Sequence, residues 1–267
     1  MKTVVITGAS MGIGLELAKL YTQNGFLVIC LSRSVPAESF ENFKHVPCDV
    51  SQLESVQNAF KQISEMTTSV DVLINNAGVG TGGSIEHTDP MDAKKAIDTN
   101  LLGVVYVTSI FLGKLRESQG NIINVSSVGG QFALPYQTLY SATKAAVISF
   151  SNGLRNELRP FKVRVMTILP GDANTRFSRI KNNDDGVYQS YSDKSISGME
   201  KDERNGMSSQ HVARKIFKYQ RRRRMPQQKV IGVKYAFLMF ISRFLPTRFV
   251  NYLVFKLYGG AGKARTK

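Results

Sequence analysis

The chain has 267 residues, 42% of them apolar, with only 8 prolines, which is enough to bury a core and excludes a disordered chain. Two cysteines, Cys30 and Cys48, exclude a disulfide framework, and three histidines without metal-ligand spacing give no reason to expect a metal site. The net charge of +15 is uneven: residues 1–210 hold 20 basic and 20 acidic side chains, residues 211–267 hold 15 basic ones and no acid.

The opening run "TVVITG" (3–8) predicts a short strand ending in glycine. Its apolar stretch is too short for the core of a signal peptide, so the chain is expected to begin folded and to stay in the cytoplasm. A helix is expected over 12–24, where Ile13, Leu17, Leu20 and Tyr21 recur at helical spacing. "FLVICLS" (26–32) reads as a second strand, and "KHVPCDV" (44–50) contains a third. A polar helix over 51–65 leads to "VDVLINNAG" (70–78), and an apolar helix over 100–115 opens at Asn100. The strand "GNIINVSS" (120–127), a helix over 137–159 and "VRVMTILPG" (163–171) complete the series. Strands apolar along their whole length belong in a sheet covered on both faces. The alternation predicts an α/β fold: a doubly wound, Rossmann-like parallel sheet with helices on both faces and a C-terminal helical extension. One domain over 1–267 is expected, with a core over 1–175. Residues 176–210, polar and weakly periodic, read as a substrate loop. Residues 211–267 read as a basic, apolar helical extension.

Three stretches carry chemistry. "TGASMGIG" (7–14) follows a strand and opens a helix. Gly8, Gly12 and Gly14 let the backbone turn tightly and approach a pyrophosphate, with Ser10, Met11 and Ile13 between them and a helix N-terminus behind. "LSRS" (31–34) puts Ser32 and Arg33 where an acid would hold the free ribose hydroxyls of NAD(H). A guanidinium suits a 2′-phosphate, so NADP(H) is favoured and NAD(H) stays open. In "LYSATKAAV" (139–147), Tyr140 and Lys144 stand one helical turn apart on one face. An ammonium there would lower the phenol's pKa and make it an acid–base group.

Taken in order, "TGASMGIG", "CDV" (48–50), "NNAG" (75–78), Asn100, "NVSS" (124–127), "YSATK" (140–144) and "PGDANT" (170–175) resemble the short-chain dehydrogenase/reductase family, of the NADP(H)-preferring carbonyl reductase type. The resemblance covers residues 3 to about 175, and Ser127 stands thirteen residues before Tyr140, the family's interval. It implies that Tyr140 is the acid–base, that Lys144 lowers its pKa and holds the nicotinamide ribose, and that Ser127 bonds the substrate carbonyl. It implies further that Asn100 supports a water reaching Lys144, and that Asp49 and Val50 meet the adenine. Asn76, Ala77 and Gly78 would line the adenosine ribose; Pro170, Gly171 and Thr175 would position the nicotinamide amide. The implied reaction is hydride transfer between NADP(H) and a lipophilic ketone or aldehyde, by a homodimer or homotetramer built on the helices at 100–115 and 137–159. A 3-oxoacyl thioester reductase and a non-catalytic NADP(H)-binding scaffold or sensor are the alternatives. Two positions depart from the pattern: Met11 stands where NADP(H)-preferring relatives carry a basic residue, and Asp172 where an apolar one is usual.

The tail raises its own question. Residues 230–260 contain eight aromatics, and the run "YAFLMFIS" is far too short to span a bilayer. A helix over 247–258, ended by Gly259 and Gly260, would be too apolar to stand in water. Either residues 211–260 meet an anionic membrane surface, drawn there by "RRRR" (221–224), or a helical pair packs over the site or in a dimer. No nucleic-acid module is present, and none is expected as a partner.

Overall fold

The computed structural model describes residues 1–175 and 177–259. Seven strands form one parallel sheet: β1 Thr3–Thr7, β2 Leu27–Ser32, β3 Phe43–Pro47, β4 Val72–Asn75, β5 Asn121–Val125, β6 Arg164–Pro170 and β7 Gln228–Ile231. Their order is β7-β6-β5-β4-β1-β2-β3. From β1 the chain builds outward to β2 and β3, then returns to add β4 on the other side. The strand ends therefore part between β1 and β4 and leave a crevice there.

Alternation along the strands assigns side chains to two layers. Val4 and Ile6 of β1 join Leu17, Ala18 and Tyr21 of α1 (Gly12–Gln23) and Val212 and Ile216 of α7 (Ser209–Gln220). Val5 points the other way. It meets Val56 and Ile63 of α2 (Leu53–Met66), Phe111 and Leu115 of α4 (Gly103–Glu117), and Leu154 of α5 (Thr138–Leu158). Each such fully buried Leu, Ile or Phe contributes about 1.5–3 kcal/mol, which holds the strand ends in place.

Several elements differ from the sequence expectation. Asn100 does not open a helix. It lies in a π-helical turn, Asp98–Leu102, joining α3 (Pro90–Ile97) to α4 in one continuous rod. That rod is long and apolar enough to cross a membrane, but Val104, Val107, Phe111 and Leu115 are buried, the last three against the sheet. Residues 176–210 are not an open loop. Arg179–Lys181 pairs with Gly80–Gly82, Met207–Ser208 pairs with Ala173–Asn174, and α6 spans Gln189–Arg204. The buried face of α6 is Ser192, Ser195, Ile196 and Met199, half of it hydroxyls, which is why its periodicity is faint.

Residues 211–231 belong to the core rather than to an extension, since α7 packs on α1 and β7 pairs with β6. The extension proper is α8 (Val233–Ser242) and α9 (Thr247–Tyr258). Arg176 and residues 260–267 lie outside the described residues. The arginine run also sits elsewhere than expected: Arg164, at the start of β6, donates to the carbonyls of Arg222 and Arg223 at 3.1 and 3.3 Å. With a rise of about 3.3 Å per residue, β6 separates that run from Pro170 by about 20 Å. It lies at the N-terminal ends of the strands, opposite the C-terminal ends from which α8 follows.

Candidate active site

A cavity of about 680 Å³ opens above the C-terminal strand ends and continues under α8 and α9. It falls in the range of small-molecule sites. Of the residues singled out from sequence, all but Gly14 and Asn100 line it.

The floor is built by β1 and β4. Gly8 has φ +65°, and a Cβ there would come within 2.9 Å of Ala77 Cα. A Cβ on Gly14 would stand 2.4 Å from the Gly8 carbonyl oxygen and 2.7 Å from Asn76 Nδ2. Only glycine lets α1 start this close to the "NNAG" segment. Thr7, the first residue of the "TGASMGIG" motif but given no role from sequence, ties the two together: its Oγ1 accepts from the N–H of Asn76 at 2.9 Å and of Ala77 at 3.0 Å. Asn76 Nδ2 in turn donates to the carbonyls of Thr7 and Gly8 at 3.0 and 3.1 Å. Met11 caps α1 without a side-chain bond, so the first N–H groups of the helix stay open toward the cavity. This cradle fits the diphosphate of a nicotinamide dinucleotide.

At the rim beyond β2, Arg33 is exposed and Ser32 is buried, its Oγ donating to the Ser34 carbonyl at 2.8 Å. Ser34 Oγ donates to Ser10 Oγ at 3.1 Å, drawing this loop onto the glycine-rich one. The first acid past β2, Glu38, is paired with Lys19 at 2.8 Å. Asp49 accepts from the N–H and Oγ of Ser51 at 3.0 and 2.7 Å, and Val50 packs where a Cβ on Gly103 would lie 2.9 Å away.

The chemical groups stand on β5 and α5. Ser127 follows β5 and accepts from the Gly129 N–H at 3.0 Å. Its side chain shares a hydrogen bond with Tyr140. Lys144, one turn along α5, is buried and donates to the Val125 carbonyl at 3.1 Å. Its Nζ lies 5.8 Å from the Tyr140 ring centroid. Burial pushes the Lys144 ammonium down to about 8. Burial raises Tyr140 above its ordinary value, and the Ser127 bond opposes that only in part. Tyr140 therefore carries its proton at neutral pH. Asn100 lies behind this group, fully buried, its Oδ1 accepting from the Val79 N–H and its Nδ2 donating to the Val79 carbonyl, both at 2.8 Å. Nδ2 also reaches Thr143 Oγ1 at 3.1 Å. The side chain thus ties the Val79 main chain to α5.

Past Tyr140 the cavity changes character. Pro170 pairs in register with Ile231, and the Gly171 N–H donates to the Ile231 carbonyl at 3.0 Å. Asp172 accepts from the hydroxyl of Tyr235 on α8, which accounts for an acid where an apolar residue is usual. Asp172, Asp202, Glu203 and Arg179 form a polar group near Tyr140, with Arg179 held by Glu203 at 2.7 Å. Burial raises the carboxyls of Asp172 and Glu203. Beyond them the wall is apolar: Leu238, Ile241 and Leu245 from α8 and its turn, Val250, Leu253 and Leu257 from α9. This is the helical pair over the site that the sequence offered as one of two readings of the tail, although no single residue of the wall was named there.

A family model described as short chain dehydrogenase matches residues 2–186. The chain belongs to the short-chain dehydrogenase family. It is an oxidoreductase acting between CH–OH and C=O groups with a nicotinamide cofactor. It is 35% identical over 256 residues to the 3-ketodihydrosphingosine reductase of Bacteroides thetaiotaomicron, covering 93% of this chain and 95% of that one. Among solved structures it is similar to a short-chain dehydrogenase from Streptomyces avermitilis, with a TM-score of 0.83, 24% identity and 96% of each chain covered. It is also similar to the closed form of a serine dehydrogenase complexed with NADP+, with a TM-score of 0.73 and 26% identity over 86% of this chain and 94% of that one.

Proposed function

We propose that this dehydrogenase reduces a ketone on a long apolar chain, using NADPH, with Tyr140 as the proton donor. The observation that carries the reading is the single cavity that runs from the glycine-rich loop, past Ser127 and Tyr140, to the apolar wall of α8 and α9.

The N–H groups at the start of α1 and the backbone of Gly8 and Gly12 would hold the diphosphate. Asn76 to Gly78 would line the adenosine ribose, Asp49 and Val50 the adenine, and Pro170, Gly171 and Thr175 the nicotinamide amide. Arg33, with Glu38 already paired to Lys19, supports NADP(H) over NAD(H), because a cation without a competing acid favours the 2′-phosphate. When bound, the reduced nicotinamide supplies the hydride.

The protein supplies position and a proton. Ser127 and Tyr140 hold the carbonyl oxygen, and Tyr140 donates its proton to that oxygen as negative charge develops. The phenol raised by burial is in the protonated form this direction needs. Lys144, still largely charged at neutral pH, stabilises the phenolate left behind and holds the nicotinamide ribose. Asn100 positions the Val79 segment beneath them.

Beside the Arg179–Glu203 pair, Asp172 and Asp202 add carboxyl groups near Tyr140, which suit a substrate bearing a cation near its carbonyl. Together with the apolar wall, this makes 3-ketodihydrosphingosine, a long-chain amino ketone, the first substrate to test. A dimer or tetramer assembled through α4 and α5, in the cytoplasm, completes the proposal. The test follows NADPH consumption with 3-ketodihydrosphingosine, a short water-soluble ketone and a carrier-borne 3-oxoacyl chain. Burial of each methylene gives about 0.8 kcal/mol, so kcat/KM for the long free ketone should exceed that for the short one by at least about 100-fold. Preference for the carrier-borne chain contradicts the substrate reading. Tight NADPH binding without turnover of any carbonyl contradicts the catalytic one.

A further inference from the structure

We infer that the outer face of α8 and α9 docks on an anionic lipid bilayer and sets the mouth of the cavity at the lipid–water boundary. The inference rests on the reading of the cavity as a long-chain ketone site, and it names the surface from which such a substrate arrives.

The two helices are apolar on both sides. Their inner residues line the cavity, yet on the outside Phe237, Phe240, Phe244, Phe249 and Phe255 stay between 47% and 75% exposed. Of the whole pair only Met239 is buried. A water-facing helix pair does not need this run of phenylalanines, and its removal from water needs a partner.

The charges say which partner. Arg243, Arg248 and Lys256 are all exposed, and residues 233–258 contain no acid. A second copy of this face across a twofold axis would bring like charges together with no carboxylate to answer them. An anionic lipid surface supplies the missing negative charge, and aromatic side chains are at home at the level of its headgroups. At ten and twelve residues, α8 and α9 are too short to span a bilayer, which takes about 20. They suit lying in its plane. The arginine run at 221–224 plays no part in this contact, because it stands at the other end of the strands.

The chain contains no tryptophan, so Phe244→Trp creates a single fluorescent reporter on the docking face. Mixed at low salt with vesicles of phosphatidylcholine and phosphatidylglycerol, this variant should shift to the blue and be quenched by brominated acyl chains. Vesicles of phosphatidylcholine alone should bind far more weakly. Each cation near an anionic surface strengthens binding about fivefold, so Arg243→Gln with Arg248→Gln should weaken vesicle binding about 25-fold. Phe240→Ser with Phe255→Ser should weaken it at least about tenfold. Neither pair should change turnover of a short water-soluble ketone, since these side chains do not line the cavity. Turnover of the short ketone tests the catalytic reading alone, and vesicle binding tests the docking alone. A tryptophan that ignores the vesicles overturns the inference. So does a Phe240→Ser, Phe255→Ser variant that binds vesicles normally while a dimer of the wild type falls to monomer, which would assign the face to a second copy.

Discussion

Asn100→Ala removes an amide from a site without access to water. In the wild type its two polar ends meet the N–H and the carbonyl of Val79 at 2.8 Å, and a third bond reaches Thr143 at 3.1 Å. Alanine leaves both Val79 groups unmatched in a buried segment. Each orphaned group costs about 1–3 kcal/mol, so the substitution should destabilise the fold by about 2–6 kcal/mol. A chain of this size loses about 2–4 °C of Tm per kcal/mol, which predicts a drop of about 4–24 °C. The displacement also reaches the chemistry. A Cβ on Gly78, the neighbour of Val79, would lie 3.1 Å from Asn100 Oδ1 and 3.3 Å from Lys144 Nζ, so this strand end holds the catalytic lysine's surroundings. NADPH affinity and kcat should therefore both fall at temperatures where the variant is still folded. Asn100→Asp keeps the acceptor for the Val79 N–H but turns a second oxygen toward the Val79 carbonyl, so it should restore only part of the loss. Thermal unfolding by circular dichroism, paired with single-turnover reduction, measures both effects. A Tm within about 2 °C of wild type would refute the reasoning.

Three further outcomes are expected. Because burial brings the Lys144 ammonium down to about 8, kcat/KM for reduction should hold steady below about pH 7 and fall as pH rises through that value and the charge is lost. A profile flat to about pH 10 contradicts this. Arg33→Ala should raise KM for NADPH about 10–100-fold, the worth of a charge-assisted bond, while leaving NADH nearly unchanged; equal effects on both cofactors contradict the 2′-phosphate assignment. Gly14→Ala would set a Cβ 2.4 Å from a carbonyl oxygen that cannot move aside, so it should cost about 1–3 kcal/mol of stability and abolish tight NADPH binding. Wild-type melting and affinity would count against it.

The parts of the site that were legible in the sequence are those where local geometry leaves little choice of residue. Gly8 and Gly14 stand where a Cβ would strike neighbouring atoms, and Tyr140 and Lys144 stand one turn apart on a helix with clear periodicity. Five of the six expected strands are apolar because both faces of the sheet are covered there; β3, at the edge, keeps Lys44 and Pro47 exposed. What stayed hidden depends on distant partners. β7 is only Gln-Lys-Val-Ile, and nothing local marks it as a strand until β6 pairs with it. Ser192 and Ser195 face the interior of α6 where a hydrophobic pattern would be sought. Thr7 matters because Asn76 and Ala77, 69 and 70 residues away, donate to it. Asp172 looked anomalous beside Pro170–Gly171 until α8 brought Tyr235 to its carboxylate. Spacing places Lys144 one turn from Tyr140 but does not report burial, which raises the phenol.

The most direct test is Tyr140→Phe, which deletes one oxygen and leaves the ring against Phe177 and the cavity floor intact. Reduction of a long-chain ketone by NADPH should slow by about 10²–10⁴-fold, the contribution of a positioned general acid, while NADPH binding measured by fluorescence stays within about threefold of wild type. Turnover close to wild type, with the cofactor bound normally, would contradict the account.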